Sequence, residues 1–171
     1  MAEVLTRYGV LTVPDTTEDV IGRFLDTYGE WAWLETKFVA SLLPENARVL
    51  DVGAFVGTFG LGLAAARQLE FLCFVEASPV TVPLLAENVQ RNMPDRTAVI
   101  EAMVAGTGAT LQAGRSDPGN YGSASFAMTA AGAVRVPIPS RITTLSDLRT
   151  DYGPFDLIKL DIEGMELDVL R

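Results

Sequence analysis

Asp51, Gly53 and Gly57 close an apolar run, Val49-Leu50-Asp51-Val52-Gly53-Ala54-Phe55-Val56-Gly57, and their types and spacing suit a site where backbone meets a ligand. Glycines let the chain come close, and the N-terminus of a helix beyond Gly57 offers N–H groups and positive dipole to a carboxylate. Asp51 would receive an ammonium, directly or through water. Glu76 lies 23 residues after Gly53, and an acid that holds ribose hydroxyls is expected some ~20 residues on; a carboxylate accepts two hydroxyls at once. Lys159, Asp161 and Glu163 alternate within Leu157-Ile158-Lys159-Leu160-Asp161-Ile162-Glu163-Gly164-Met165-Glu166, so strand geometry puts all three on one face with Asp161 at the ligand end. Burying a lysine and an acid there is costly unless they compensate each other or meet a ligand. Each feature also has a plainer reading: a turn that packs a helix on a strand, a glutamate that caps a helix or faces solvent, and a structural ion pair.

The glycine spacing selects among nucleotide-like ligands. A dinucleotide fingerprint needs glycine where Phe55 stands, and short-chain dehydrogenase spacing needs it at Phe59. What remains, Asp-x-Gly-x-x-x-Gly, is the pattern of S-adenosylmethionine (SAM) sites. That ligand carries an adenosine but no phosphate.

Composition narrows the chemistry further. The 171 residues, 49% hydrophobic and 20% charged, fit one soluble domain with a real core. A net charge of −9, with Lys37 and Lys159 as the only lysines, disfavours a nucleic-acid partner held by summed positive charge. The absence of histidine removes histidine-based nucleophile systems and the usual near-neutral base, so a base must be a carboxylate, a shifted lysine or water. Cys73, the one cysteine, excludes an internal disulfide and reads as a buried filler within Phe71-Leu72-Cys73-Phe74-Val75. No apolar run is long enough to span a bilayer, and residues 1–13 lack signal-peptide order, so no membrane partner and a cytoplasmic location are expected.

The elements that must position these residues follow from periodicity. Helices are expected over 17–28 and 30–43, capped by Thr16 or Thr17 and stopped by Pro44. Strands at 48–52, 69–76 and 97–102 alternate with helices at 57–68 and 80–92, which argues for a parallel sheet. Residues 103–140 then break the rhythm, and short runs at 109–113, 123–128 and 134–138 read as an inserted β-hairpin or meander, a candidate lid, with a turn at Asp117-Pro118-Gly119-Asn120. A short helix at 145–150, a strand at 155–162 and a helix opened by Glu166 follow. The expected organisation is one domain over 1–171: a helical preamble (1–47), a cofactor-binding half (48–102), the β insertion (103–140) and an acidic strand-turn motif (155–171). Its fold class is α/β, a Rossmann-like parallel sheet with helices on both faces, incomplete at the C-terminus. An unpaired fourth strand is an edge that folded proteins avoid, so a missing C-terminal half, or a second copy in a homo-oligomer, is expected to cover it; the fragment reading is favoured.

Together, Val49 to Gly57, Val75-Glu76-Ala77-Ser78-Pro79 and Asp156 through Glu166 resemble the FkbM family of SAM-dependent methyltransferases, as do, more weakly, Tyr28 to Glu35 and Gly119 to Ser125. The Lys-x-Asp-x-Glu-Gly-x-Glu run is the most particular marker. The chain departs from the family at Phe55, where asparagine is usual, at Ala77, where proline is common, and in stopping after four strands of an expected seven. The resemblance implies a class I methyltransferase core binding SAM through Asp51, Gly53, Ala54, Phe55, Gly57, Glu76, Ala77, Ala102 and Met103.

Methyl transfer from a sulfonium needs chiefly an acceptor oxygen held in line at about 3 to 3.5 Å. With no histidine, Asp161 is the expected base, oriented by Lys159 and assisted by Glu163 and Glu166. No dedicated metal site is expected; Asp161 and Glu163 would be the ligands if magnesium took part. Trp31, Trp33 and Glu35 read as an amphipathic helix packed on the sheet, whereas the family resemblance implies that they fold across the pocket; Ser123 and Ser125 read as hairpin residues that could touch cofactor or acceptor. Three functions stand at this point: an O-methyltransferase acting on a hydroxyl of a saccharide or secondary metabolite, a degenerate or incomplete SAM-binding domain, and a nicotinamide-dependent oxidoreductase, which Phe55 and Phe59 disfavour.

Overall fold

Strands that are apolar on both sides must be covered on both faces, and alternation decides which residues serve which layer. The computed structural model describes residues 1–126 and 133–171. Its main sheet is parallel throughout, in the order β11 (Leu157–Leu160), β3 (Ala47–Val52), β4 (Leu69–Glu76), β5 (Thr97–Glu101). Val49, Leu72 and Phe74 bury one face under α3 (Thr58–Ala66) and α4 (Val82–Asn92), while Leu50, Val52, Cys73 and Val75 bury the other against Leu148 of α5 (Leu145–Tyr152). This is the expected Rossmann-like α/β layering. The chain winds outward from β3 through β4 to β5, then returns to pair β11 on the other side of β3. The order reverses between β3 and β11, and ligand crevices open at the carboxyl ends of strands at such a point.

The first 47 residues are not wholly helical. Residues Ala2–Thr6 (β1) and Gly9–Val13 (β2) form an antiparallel hairpin that precedes α1 (Val20–Tyr28) and α2 (Trp33–Leu42). The hairpin replaces part of the expected helical preamble because Val4, Leu11 and Val13 bury on the sheet's α4 side. It is held there by Asn88 of α4, fully buried, whose Oδ1 accepts the Thr12 N–H at 2.6 Å and whose Nδ2 donates to Thr12 O at 2.9 Å and Val56 O at 3.0 Å. The cap of α1 is Asp19 rather than Thr16 or Thr17.

The insertion is a three-stranded antiparallel sheet with β7 (Gly114–Asp117) between β8 (Asn120–Ser125) and β9 (Val134–Val136). The turn at Asp117 to Asn120 is where the sequence places it, but 109–113 forms no strand; the first strand begins at Gly114. The end of the 123–128 run lies outside the described residues. Two short strands, β6 (Met103–Val104) and β10 (Ile142–Thr143), pair in parallel and lead into α5. Among the described residues no helix is long and apolar enough to cross a membrane.

Replacing Asn88 with alanine strands three buried backbone groups of β2 and the Val56 turn. Urea unfolding should show a loss of about 3 kcal/mol with an unchanged denaturant slope.

Candidate active site

The turn after β3 is shaped by close contact with the chain that follows β11. Gly53 has φ +75°, and a Cβ there would come 1.8 Å from Asp161 O, so no other residue fits without moving the two strands apart. The Gly53 and Ala54 N–H groups donate to Val75 O at 2.9 and 3.1 Å, which ties the turn to the end of β4. Phe55 takes the left-handed region too, at φ +52°, an uncommon conformation for a bulky side chain. That geometry aims its N–H at Glu76.

Glu76, the last residue of β4, is buried, and each carboxylate oxygen accepts one backbone N–H, from Phe55 and from Ser78, both at 2.8 Å. Burial pushes its carboxyl above the usual carboxylate range, against the lowering by the Ser78 and Phe55 N–H donors. Each oxygen keeps acceptor capacity.

Asp51 and Lys159 form the anchor beneath the turn. Asp51 Oδ2 accepts the Gly60 N–H of α3 at 3.1 Å. The Lys159 ammonium donates to Gly53 O at 2.8 Å and stands 3.2 Å from Asp51 Oδ1 as an ion pair. Asp161 Oδ2 is 3.5 Å from the same ammonium, on a side chain 66% exposed, against 0% for Asp51. Burial alone would lower the Lys159 pKa, but the Asp51 and Asp161 carboxylates outweigh it and raise the ammonium above its ordinary value. Lys159 is therefore a fixed cation, not a base.

The acidic turn departs from the alternating strand read in the sequence. Strand β11 ends at Leu160, and Glu163 sits in the left-handed region at φ +49°, off the strand face of Lys159. Glu166 accepts the Ile162 and Gly164 N–H groups, both at 3.0 Å, and so holds the turn together. Glu163 is raised above the usual range by burial, then by the charges of Asp161, Glu166 and Asp117. Among the described residues no three His, Cys, Asp or Glu side chains gather as a metal site.

These elements line a cleft that is open to solvent. Gly53, Ala54, Phe55, Glu76, Ala77, Ala102, Met103, Lys159 and Asp161 all line it, whereas Asp51, Gly57 and Glu163 support it from behind or lie outside. Sequence reasoning missed several walls: Ile21 of α1, Thr36 of α2, Phe59 of α3, and Tyr121, Gly122 and Phe126 of the insertion. Trp31 and Glu35 face the cleft, while Trp33 packs on Tyr8 at a ring separation of 5.9 Å. Ser123 and Ser125 do not line it. Ser125 Oγ donates to Glu163 O at 2.9 Å, which joins the insertion to the acidic turn.

The profile described as "Methyltransferase FkbM domain" matches residues 51–171, which hold the glycine turn, Glu76, the insertion and the acidic turn. The chain belongs to this family. Methyltransferase sdnD of Sordaria araneosa is 28% identical over 163 residues, with 75% of this chain and 61% of that protein covered; the chain thus spans less than two thirds of that relative. Of solved structures, precorrin-6y C5,15-methyltransferase from Geobacter metallireducens is 14% identical at a TM-score of 0.36, over 41% of this chain and 37% of that one. A tRNA (uracil-54, C5)-methyltransferase from Pyrococcus abyssi, in complex with S-adenosyl-L-homocysteine, is 23% identical at a TM-score of 0.34, over 41% and 17%.

Replacing Lys159 with methionine leaves Asp51 buried and uncompensated, and should cost about 3 kcal/mol at neutral pH. Because the folded pKa of Lys159 is raised, its stabilisation is complete below the ordinary lysine value of 10.5 and is lost as pH rises through the raised one. Denaturant unfolding from pH 8 upward should therefore show the wild type converging on Lys159→Met at the alkaline end.

Proposed function

We propose that the cleft binds SAM and that the protein transfers its methyl group to a hydroxyl oxygen of an uncharged small molecule. The observation that carries this reading is the buried Glu76 carboxylate at the carboxyl end of β4, beside a glycine turn at the switch point of the sheet. The donor set fits the two recognisable parts of that ligand. Glu76 has acceptor capacity left for a ribose diol. The N-terminus of α3 has no side-chain cap, and its first residues, Thr58 and Phe59, line the cleft, which suits a carboxylate. Ala102 and Met103, one strand further out, supply an apolar floor for a purine.

When bound, SAM supplies an electrophilic methyl group on a good neutral leaving group. The chain's own tasks are then positioning, exclusion of water and handling of one proton. Asp161 lines the cleft as an exposed carboxylate, free to take the hydroxyl proton as the oxygen attacks, and Lys159 holds Asp161 at the turn. Trp31, Phe55, Tyr121 and Phe126 give the remaining wall an aromatic character suited to the faces of a sugar ring or an apolar metabolite. Lys159 is the single cation among the described lining residues, and it is engaged by Asp51, which disfavours a phosphate-bearing substrate.

Calorimetry with SAM should show one site per chain, and NAD should show none. Glu76→Ala should weaken SAM at least about tenfold, the loss expected for hydrogen bonds to a charged acceptor. Unchanged affinity in that variant would remove Glu76 from the site.

A further inference from the structure

Asp19 is an acid for which neither the glycine turn nor the proton chemistry has a use, yet it is completely buried. Its two oxygens serve two different elements. Oδ2 accepts the Gly22 N–H at 2.7 Å and so caps α1, while Oδ1 accepts the Tyr121 N–H of β8 at 2.9 Å. A reciprocal bond runs beside it, from the Val20 N–H to Gly119 O at 3.0 Å. The approach is close as well as bonded: a Cβ on Gly122 would lie 2.7 Å from Ile21 Cδ1 and 3.9 Å from Phe55 Cδ1. Tyr121, Gly122, Ala124 and Phe126 of the insertion, and Ile21 of α1, all line the cleft.

We propose that Asp19 is a positioning residue that clamps the β7–β8 hairpin to α1 and thereby holds the outer wall of the cleft at ligand-binding width. The clamp rests on the cofactor reading above for its functional consequence, but not for its existence. A carboxylate is the side chain the position needs. Two N–H donors converge on it from opposite sides, and two acceptor oxygens on a short stem satisfy both. The cap alone would not require an acid, since serine and asparagine cap helices about as well as aspartate. The second bond is what distinguishes Asp19 from an ordinary cap. At the far end of the hairpin the Ser125 bond to Glu163 O fixes the other corner, so the insertion is held at both sides of the opening and Asp19 governs the side toward α1.

Asp19→Asn and Asp19→Ser test this, because each keeps one acceptor for Gly22 and cannot accept from Tyr121 as well. Amide hydrogen exchange is measured without ligand, and SAM affinity is measured by calorimetry. The expected result is exchange at Tyr121 at least about tenfold faster, unchanged protection in α1 at Gly22 and Arg23, and SAM binding weakened by about tenfold. A residue that served only as a cap would leave Tyr121 exchange and SAM affinity alone in these cap-preserving variants, and either of those two remaining at the wild-type value overturns the proposal. If wild-type protein binds no SAM, the cofactor reading falls, and the exchange measurement still decides the clamp. Two variants guard against one failing to fold.

Discussion

The buried pair of Asp51 and Lys159 is the constraint on which the rest of the site depends. It joins β3 to β11, strands that are 106 residues apart at the Lys159 to Gly53 bond, at the point where the sheet order reverses. One ammonium holds the Gly53 carbonyl and faces Asp51, and the other oxygen of Asp51 reaches the Gly60 N–H in α3. Glycine turn, helix start and acidic strand are thus fixed against one another by two side chains. A buried ion pair contributes little net stability compared with an apolar substitute, but it is expensive to break from one side. Its value here is registry: β11 cannot slip along β3 without parting the pair.

Above that anchor the cleft is assembled from segments distant in sequence. The floor comes from the ends of β3, β4 and β5, the outer wall from α1, the start of α2 and the antiparallel insertion. The floor is buried on both faces and packed by two apolar clusters. Among the described residues the wall has a smaller buried apolar cluster than the floor and is tied by a few hydrogen bonds, Asp19 to Tyr121, Val20 to Gly119 and Ser125 to Glu163. Local opening is easiest where buried apolar contacts are few, so the wall, rather than the floor, is the part of the site suited to admit and release ligands.

The floor was legible in the sequence and much of the wall was not, for a physical reason. Strand β4 spans 69–76 as read, because the apolar run Phe71 to Val75, flanked by Gln68 and by Ser78-Pro79, has few alternatives. The glycine turn and Glu76 are recognised by spacing, and that spacing is local. The insertion strands are short and polar: β7 is Gly-Arg-Ser-Asp, carries no hydrophobic period, and owes its place to pairing on both sides. The β1–β2 hairpin did leave a signal, two five-residue β-prone runs around Tyr8-Gly9, and its Val4, Leu11 and Val13 are core residues. Asp19 could not be singled out among Asp15, Thr16, Thr17 and Asp19, all competent caps, since its second bond is to a residue 102 positions away.

The most direct test of the central claim, that the switch-point cleft is the cofactor site and Glu76 its nucleoside anchor, is a crystal structure of the chain with S-adenosyl-L-homocysteine. The account predicts ribose hydroxyls within ordinary hydrogen-bond reach of the Glu76 carboxylate, about 2.5–3.0 Å, and the amino-acid end against the Gly53 to Gly57 turn. A ribose bound elsewhere, out of reach of the Glu76 carboxylate, would contradict it.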